Sequence, residues 1–295
     1  MSPGGTGRSD SRRIAIGMVA LTIVSVALLN CALYQGERGA MVERRWDQLA
    51  RVTEHKRAEV RELMDRLRRQ TVFIAAQPAL DRWAARATAG TLTAREREEL
   101  HQELDRTVHS LDLHHIVLTR ADGTRLAASH DAPAAQLGRE SDLARRAIVS
   151  GEPVVGDIRA ESDGEGVIEI ATIVPAVGSQ AGPVLVSAAL AGEALESLLD
   201  DWAGSGVDGH AYLVRADAGN VEFLTPSKLT PVPGGRTPMV TRSARAAAMA
   251  ASGVESKIEV LDEEGHGVWA STRTLPELGW GLVGETWQLE LDPHR

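Results

Sequence analysis

The chain has 295 residues, a formal net charge of −9 and only 3% aromatic residues. An acidic protein is a poor binder of nucleic acid and of anionic lipid headgroups, so both classes are disfavoured. The scarcity of aromatic side chains also argues against base stacking and against a sugar-stacking groove. The length allows one large hydrophobic core or two smaller ones.

The first element is an uncharged apolar segment. Residues 14–34 read IAIGMVALTIVSVALLNCALY, and a helix of this length crosses a hydrocarbon core of roughly 30 Å. Arg8, Arg12 and Arg13 precede it, which predicts a cytoplasmic N-terminus at residues 1–13. We therefore expect a single-pass protein of the inner membrane whose remaining residues are periplasmic.

Two alternatives to a membrane span stay open. A cleaved signal peptide would have a shorter apolar region followed by a small-x-small site. A lipoprotein would carry its lipid on Cys31, the only cysteine, although Asn30 stands where a small residue is usual. All three interpretations leave the following domain outside the cytoplasm. That domain has no disulfide, because no cysteine follows position 31.

Apolar residues at spacings of three and four predict a long helix over residues 41–70. The stripe consists of Val42, Trp46, Leu49, Val60, Leu63 and Leu67, with Thr53 and Lys56 in its two weaker positions. Such a helix either forms a signalling stalk against a partner helix or second subunit, or lies along its own domain. Both hypotheses stay open, and each can hold for one half of the helix.

Shorter helices follow. Gln77-Pro78 predicts the end of the long helix, because proline disfavours helical geometry in the residue before it. A helix is predicted at 79–88, Gly90 interrupts it, and residues 93–96 resemble a capping box for a helix at 94–111.

The periodicity changes to two at residue 113, and the pattern then occurs twice. The first unit is predicted as strands 115–120 and 124–129 around an Asp-Gly turn, a helix at 141–150, strands at 154–160, 166–174 and 183–190 with a turn at 161–165, and a helix at 192–202. The second is predicted as strands 211–215 and 221–224, a loop at 225–238, a helix at 241–252, and strands at 256–261, 267–275 and 281–286. This order predicts an α+β fold with two antiparallel sheets, each with helices on one face.

Four short segments carry a family resemblance: IAAQPAL at 74–80, LTRADGT at 118–124, VWASTR at 268–273 and LGWGLVGET at 278–286. They resemble the double Cache extracytoplasmic sensor domains, with two tandem PAS-like sheets, of bacterial chemoreceptors, histidine kinases and diguanylate cyclases. The resemblance covers roughly residues 40–287. The glycines at 279 and 281 would let Trp280 lie against the sheet at the start of an edge strand.

The resemblance implies a domain organisation and a ligand. It divides the chain into a cytoplasmic N-terminus (1–13), a span (14–34), a helical part (36–112), a membrane-distal unit (113–202), a membrane-proximal unit (209–287) and a tail (288–295). The distal unit would bind a small molecule such as an amino acid, carboxylate, amine or purine. One subset binds amino acids through Tyr, Arg, Trp and Asp, but residues 113–190 contain no Tyr or Trp. An amino acid bound in that way is therefore not expected.

Seven polar residues of the first unit are candidate ligand contacts because they interrupt apolar strands or lie on the helix above them. They are Ser129, Arg145, Arg146, Asp157, Arg159, Glu169 and Thr172. An arginine would bind a carboxylate and an aspartate an ammonium group. The alternative is that the two arginines form a solvated helix face and that Glu169 points outward.

No catalytic motif is found in the sequence, and an enzyme is not expected. The segments 114–115 and 129–131 contain nucleophile and base residue types, but neighbouring residues on a strand point to opposite faces. His101 and His109 are eight residues apart on a helix, which leaves a two-ligand metal site open. We expect neither a metal nor a cofactor.

The sequence thus predicts a sensor that binds a small organic acid, amine or similar ligand and shifts its long helix. In the resembled family a second span and a cytoplasmic transmitter follow the last strand. Here only residues 288–295 follow, so we expect a homodimer or a separate transmitter subunit to carry the signal. The alternative is a scaffold or accessory subunit that binds another protein.

Overall fold

The structure is a computed structural model that describes residues 7–133, 137–160, 166–174, 183–202, 209–227, 230, 233–261 and 266–287. Most side chains before residue 41, and those of 137–141, 157, 159 and 160, lie outside the described part. The chain divides into two compact units, Met1–Gln48 and Leu49–Arg295. The first is helical from Gly7, and the second contains the other described helices and both sheets.

The helices before the first sheet follow the predicted breaks. Helix α1 (Gly7–Ala75) ends just before the proline, and α2 (Pro78–Thr88) begins at it, where the missing N–H of proline is not needed. Helix α3 (Ala94–Leu111) starts at the predicted capping box. The Thr93 hydroxyl accepts the Glu96 N–H, and the Glu96 carboxylate accepts the Thr93 N–H. The local sequence therefore determines both breaks.

The predicted membrane span is helical in its backbone, as part of α1. Among the described residues, no helix is both long and apolar enough to cross a membrane. Most side chains of residues 14–34 lie outside the described part, so the span stays a prediction.

The first sheet contains five described antiparallel strands in the order β2-β1-β5-β4-β3. They are β1 (His115–Arg120), β2 (Arg125–Ala128), β3 (Val154–Ala160), β4 (Gly166–Val174) and β5 (Val184–Ala191). Helix α4 (Leu137–Ser150) lies between β2 and β3 in the chain, and α5 (Gly192–Asp200) follows β5. The predicted turn at 161–165 lies outside the described residues.

Both faces of the first sheet are covered, so the prediction of helices on one face is wrong for this sheet. Ile116 and Ile170 belong to a core that also contains residues of α1, α2 and α3. On the other face, Leu143 and Ala147 of α4 pack with Ala171. The nearly uninterrupted burial of β4 explains the difference, because such a strand is apolar on both sides.

The second sheet contains six described strands in the order β8-β7-β6-β11-β10-β9. They are β6 (Gly209–Asp217), β7 (Asn220–Phe223), β8 (Gly235–Pro238), β9 (Ser256–Leu261), β10 (Gly267–Leu275) and β11 (Trp280–Trp287). Strand β8 was predicted as loop, which is wrong. Its Gly and Pro disfavour a strand, but among the described strands β8 pairs with β7 alone, at the sheet edge, where proline is tolerated. Helix α6 (Arg245–Ala251) is shorter than predicted.

Strand β11 is an interior strand, and its prediction as an edge strand is wrong. It pairs with both β6 and β10, because the last strand of the chain inserts beside the first strand of its unit. Trp280 is buried, as predicted. A Cβ on Gly281 would lie 2.4 Å from the Ala250 backbone, so this glycine permits the close approach of α6.

The part of α1 after residue 48 lies along its own domain. From Leu49 onward the predicted stripe is confirmed, with Met64 in place of Leu63, whereas Val42 and Trp46 are half-buried. The buried side chains of this part are Leu49, Ala50, Thr53, Lys56, Val60, Met64, Leu67, Thr71, Ile74 and Ala75. A Cβ on Gly284 of β11 would lie 2.4 Å from Thr53 Oγ1, which shows how closely the helix approaches the second sheet. Arg273 adds an ion pair to Glu54 at 3.0 Å. This half of α1 is an integral part of the domain.

Candidate functional site

The side of the first sheet that faces α4 carries an unusual row of polar residues. His115 on β1 pairs with Ala189 on β5, and Ala189 pairs with Glu169 on β4. Residues paired across neighbouring strands point to the same face, and Glu169 and Ala171 alternate with Ile170. His115 and Glu169 therefore share the α4 face, with only a small alanine between them.

The two polar side chains of this row contact each other. His115 is fully buried, and the Glu169 side chain is 12% exposed. His115 Nε2 lies 3.4 Å from Glu169 Oε1. Ionisable groups are rarely kept on a buried sheet face unless they are paired. This row is consequently the strongest candidate for ligand recognition in the first sheet.

His114 extends this row toward solvent. Its Nδ1 lies 2.9 Å from His115 Nδ1. The expectation that adjacent histidines point apart is wrong here, because His114 precedes β1 and is not bound by strand alternation. A single tautomer of His115, with the proton on Nε2, accepts from His114 and donates to Glu169. The three side chains thus form one polar chain.

The outer end of the polar chain opens into a groove of about 670 Å³. His114 lines it together with residues from the end of α3, the end of β5 and the start of α5. Three carboxylates, those of Asp112, Asp131 and Glu193, are among its lining residues. The volume is within the range of small-molecule sites, and the groove is lined by both apolar and polar side chains.

The two predicted arginines of α4 have different environments. The Arg145 side chain is 70% exposed and pairs with Asp142, as expected for a solvated helix face. The Arg146 side chain is 39% exposed and also pairs with Asp142, at 3.5 Å, but its Nη2 lies 3.4 Å from the Val155 carbonyl oxygen of β3. Arg146, not Arg145, therefore reaches toward the sheet.

Ser129 and Thr172 do not lie in the row formed by His115 and Glu169. Ser129 is buried, and its hydroxyl accepts the N–H of Ile116 at 3.1 Å. Thr172 pairs with Val186 and lies on the face opposite to Glu169, since three residues on a strand invert the direction. The side chains of Asp157 and Arg159 lie outside the described part of the chain.

The histidines considered for metal binding have protein partners. His101 Nδ1 contacts the carbonyl oxygen of Ala128, and His109 Nδ1 lies 3.0 Å from the Asp105 carbonyl oxygen. His130 donates its backbone N–H to Asp105 at 2.8 Å and also forms an ion pair with it. In the described ranges, no three His, Cys, Asp or Glu residues are arranged to hold a metal ion.

The fold resembles sensor domains of known structure. The sensor domain of the V. cholerae histidine kinase DctB matches with a TM-score of 0.56 and 14% identity, covering 85% of this chain and 98% of that domain. The ligand-binding domain of the Campylobacter jejuni chemoreceptor Tlp3, in complex with L-norvaline, matches with a TM-score of 0.52 and 12% identity. That match covers 84% of this chain and 91% of that domain.

No protein-family model and no curated protein matches the sequence. At the identities found, the structural likeness establishes the fold. The chain has the fold of the ligand-binding sensor domains of chemoreceptors and histidine kinases. The predicted resemblance to double Cache sensor domains is therefore confirmed at the level of the fold.

Proposed function

We propose that the chain is an extracytoplasmic sensor whose first sheet binds a small organic acid or amine on the side covered by α4. The buried His115–Glu169 pair carries this proposal, because it places ionisable groups on an otherwise largely apolar sheet face. The fold supports it, since Tlp3 holds L-norvaline in a domain of this kind. Residues 113–202 would form the membrane-distal, ligand-binding unit and residues 209–287 the proximal one.

The chemistry of the site assigns roles to individual residues. Glu169 would accept hydrogen bonds from an ammonium or hydroxyl group, and His115 would orient its carboxylate. Arg146 would bind a carboxylate with its planar guanidinium group. Asp157 and Arg159 on β3 are retained as candidates. Ser129, Arg145 and Thr172 are placed less favourably for a ligand on the α4 side.

We further propose that residues 14–34 anchor the protein in the inner membrane, with residues 1–13 in the cytoplasm. The uncharged 21-residue segment and the arginines before it support this topology. Signal-peptide cleavage and lipid attachment at Cys31 remain the alternatives, and each would leave the sensor domain outside the cytoplasm.

The contacts between α1 and α5 suggest a route for the signal. Helix α5 leads out of the first sheet, and Lys56 of α1 donates to the Leu198 carbonyl oxygen of α5 at 2.6 Å. A ligand that shifted α5 would therefore pull on α1, and shifts of 1–2 Å are typical of such helices. A homodimer or a separate transmitter subunit would then receive the signal.

The test is a thermal-shift screen of the full-length chain in detergent against organic acids, amines, amino acids and nucleobases. A ligand with micromolar affinity, supplied at millimolar concentration, stabilises the folded state by about 4 kcal/mol. We expect at least one organic acid or amine to raise the melting temperature. A flat response across all four classes would contradict the sensor proposal and favour the scaffold alternative.

A further inference from the structure

The two sheets repeat a short sequence at the same place in their topology. Residues 115–122 and 210–217 both read His-x-x-Leu-x-Arg-Ala-Asp. Each repeat forms the first strand of its sheet and the hairpin that follows, and each strand pairs with the last strand of its unit. His210 of the second sheet is therefore the counterpart of His115.

The counterpart histidine also stands beside a carboxylate. His210 pairs with Glu285 on β11, and its Nε2 lies 3.5 Å from Glu285 Oε2. The Tyr212 hydroxyl donates to Glu285 Oε1 at 2.6 Å. Burial, together with the Glu285 charge, raises the pKa of Tyr212 well above its usual value, so this phenol remains a donor. A carboxylate is thus held in place on the sheet face that also packs against α6.

An aromatic side chain lies on the same face of β11 as this carboxylate, with its ring 6.5 Å from that of His266. Trp287 follows Glu285 by two residues on β11 and so points to the same face. The Glu285 side chain is 14% exposed and Trp287 is 39% exposed, so exposure increases from the carboxylate to the indole. A largely shielded carboxylate and a partly exposed indole on one sheet face are a combination that binds organic cations, through charge and through the ring face.

We propose that the second sheet holds a separate site for a small organic ammonium compound, with Glu285 as its anion and Trp287 as its aromatic wall. Tyr212 and His210 are positioning residues that hold the Glu285 carboxylate. This site goes beyond the proposed function, which places a ligand on the first sheet, and it does not depend on that ligand.

The test is isothermal titration of the full-length chain with choline and with butylammonium. The uncharged isostere of choline, 3,3-dimethylbutan-1-ol, is the ligand control. We expect both cations to bind and the isostere to bind at least about tenfold more weakly. Glu285→Gln and Trp287→Leu should each weaken cation binding by about tenfold or more. Glu62→Gln, which removes an exposed carboxylate of α1 from outside both proposed sites, should leave it unchanged.

Several outcomes would overturn this proposal. They are no binding of either cation, equal binding of the isostere, or full affinity in Trp287→Leu. Loss of binding in Glu169→Gln together with full affinity in Glu285→Gln would place the cation on the first sheet instead. Trp287→Leu keeps the test decisive should Glu285→Gln fail to fold, because Trp287 is partly exposed and its replacement leaves the Tyr212–Glu285 pair in place.

Discussion

At the residue scale, Lys56 is a polar residue within the apolar stripe of α1, and it forms a specific contact with α5. Its side chain is 4% exposed, and its ammonium group lies 2.9 Å from Glu59 and 2.6 Å from the Leu198 carbonyl oxygen. Leu198 belongs to the last turn of α5, where carbonyl groups have no partner within the helix. The lysine thus satisfies a helix end while joining two helices.

We predict that Lys56→Met destabilises the protein by about 2 kcal/mol, because it removes a charged hydrogen bond and leaves the part-buried Leu198 carbonyl without this donor. Urea denaturation measures the free energy of unfolding. Arg66→Met removes the same charge from an exposed position of α1 and should cost less than about 0.5 kcal/mol. Equal losses in the free energy of unfolding of the two variants would show that Lys56 contributes only through its charge.

The pair of His130 and Asp105 predicts a dependence of stability on pH. The hydrogen bond to Asp105, and then its charge, raise the pKa of His130. The ion pair therefore contributes fully to the free energy of unfolding below about pH 6.5, the usual pKa of histidine. This contribution is lost as the pH rises through the raised pKa of His130. Burial opposes the shift of Asp105, but the hydrogen bonds from His130 outweigh it and lower its pKa.

We expect the melting temperature of the wild type to exceed that of His130→Gln at pH 6, and the difference to shrink by pH 9. The same substitution in an Asp105→Asn background should show no such dependence. A difference that is constant from pH 6 to pH 9 in the wild-type background would argue against the ion pair.

At the element scale, α1 and β11 approach each other through a residue without a side chain. We predict that Gly284→Ala destabilises the protein by about 2 kcal/mol, because the new methyl group would overlap Thr53 Oγ1. Adding Thr53→Ala should recover part of the loss, and a double-mutant cycle measures that coupling. Simple additivity of the two substitutions would mean that the two elements do not meet at this point.

The elements that the sequence predicted best have strong local signals. Pro78, the capping box at Thr93 and the turn at Gly123 are each determined by a few neighbouring residues, and each is confirmed. Strand β8 and the interior position of β11 depend on pairing with distant strands. Local periodicity contains no information on those partners, and both predictions were wrong for that reason.

Prediction of the candidate site depended even more on the pairing of the strands. Glu169 was recognisable as a polar residue within an apolar run, but its contact with His115 depends on the register of β4, β5 and β1. Thr172 looked equivalent to Glu169 in the sequence and lies on the opposite face. Arg145 and Arg146 were indistinguishable until the packing of α4 separated them. The sequence shows which residue types are available, but the register of the strands determines which of these side chains contact each other.

At the scale of the whole molecule, the proposed topology predicts where its parts are accessible. A phosphatase reporter that is active only outside the cytoplasm should be active when fused after residue 287 and inactive when fused after residue 13. Activity in both fusions, or in neither, would contradict a single span at residues 14–34.

In both sheets the first strand of the unit pairs with the last one, and its histidine lies beside a carboxylate. The fold is that of sensor domains, and the arrangement on the first sheet leads to the central claim that a small ligand binds under α4. Arg145 and Arg146 offer a matched pair for testing it, because they are adjacent and equally charged, both pair with Asp142, and only Arg146 is described with a contact to β3.

The most direct measurement is the affinity, by isothermal titration, of the strongest ligand from the thermal-shift screen for the wild type, Arg146→Gln and Arg145→Gln. We predict that Arg146→Gln weakens binding of a carboxylate ligand by about tenfold to a hundredfold, since it removes a charged hydrogen bond. For an amine ligand, Glu169→Gln should have this effect. Arg145→Gln should bind either ligand like the wild type. Unchanged affinity in both Arg146→Gln and Glu169→Gln would contradict a site under α4.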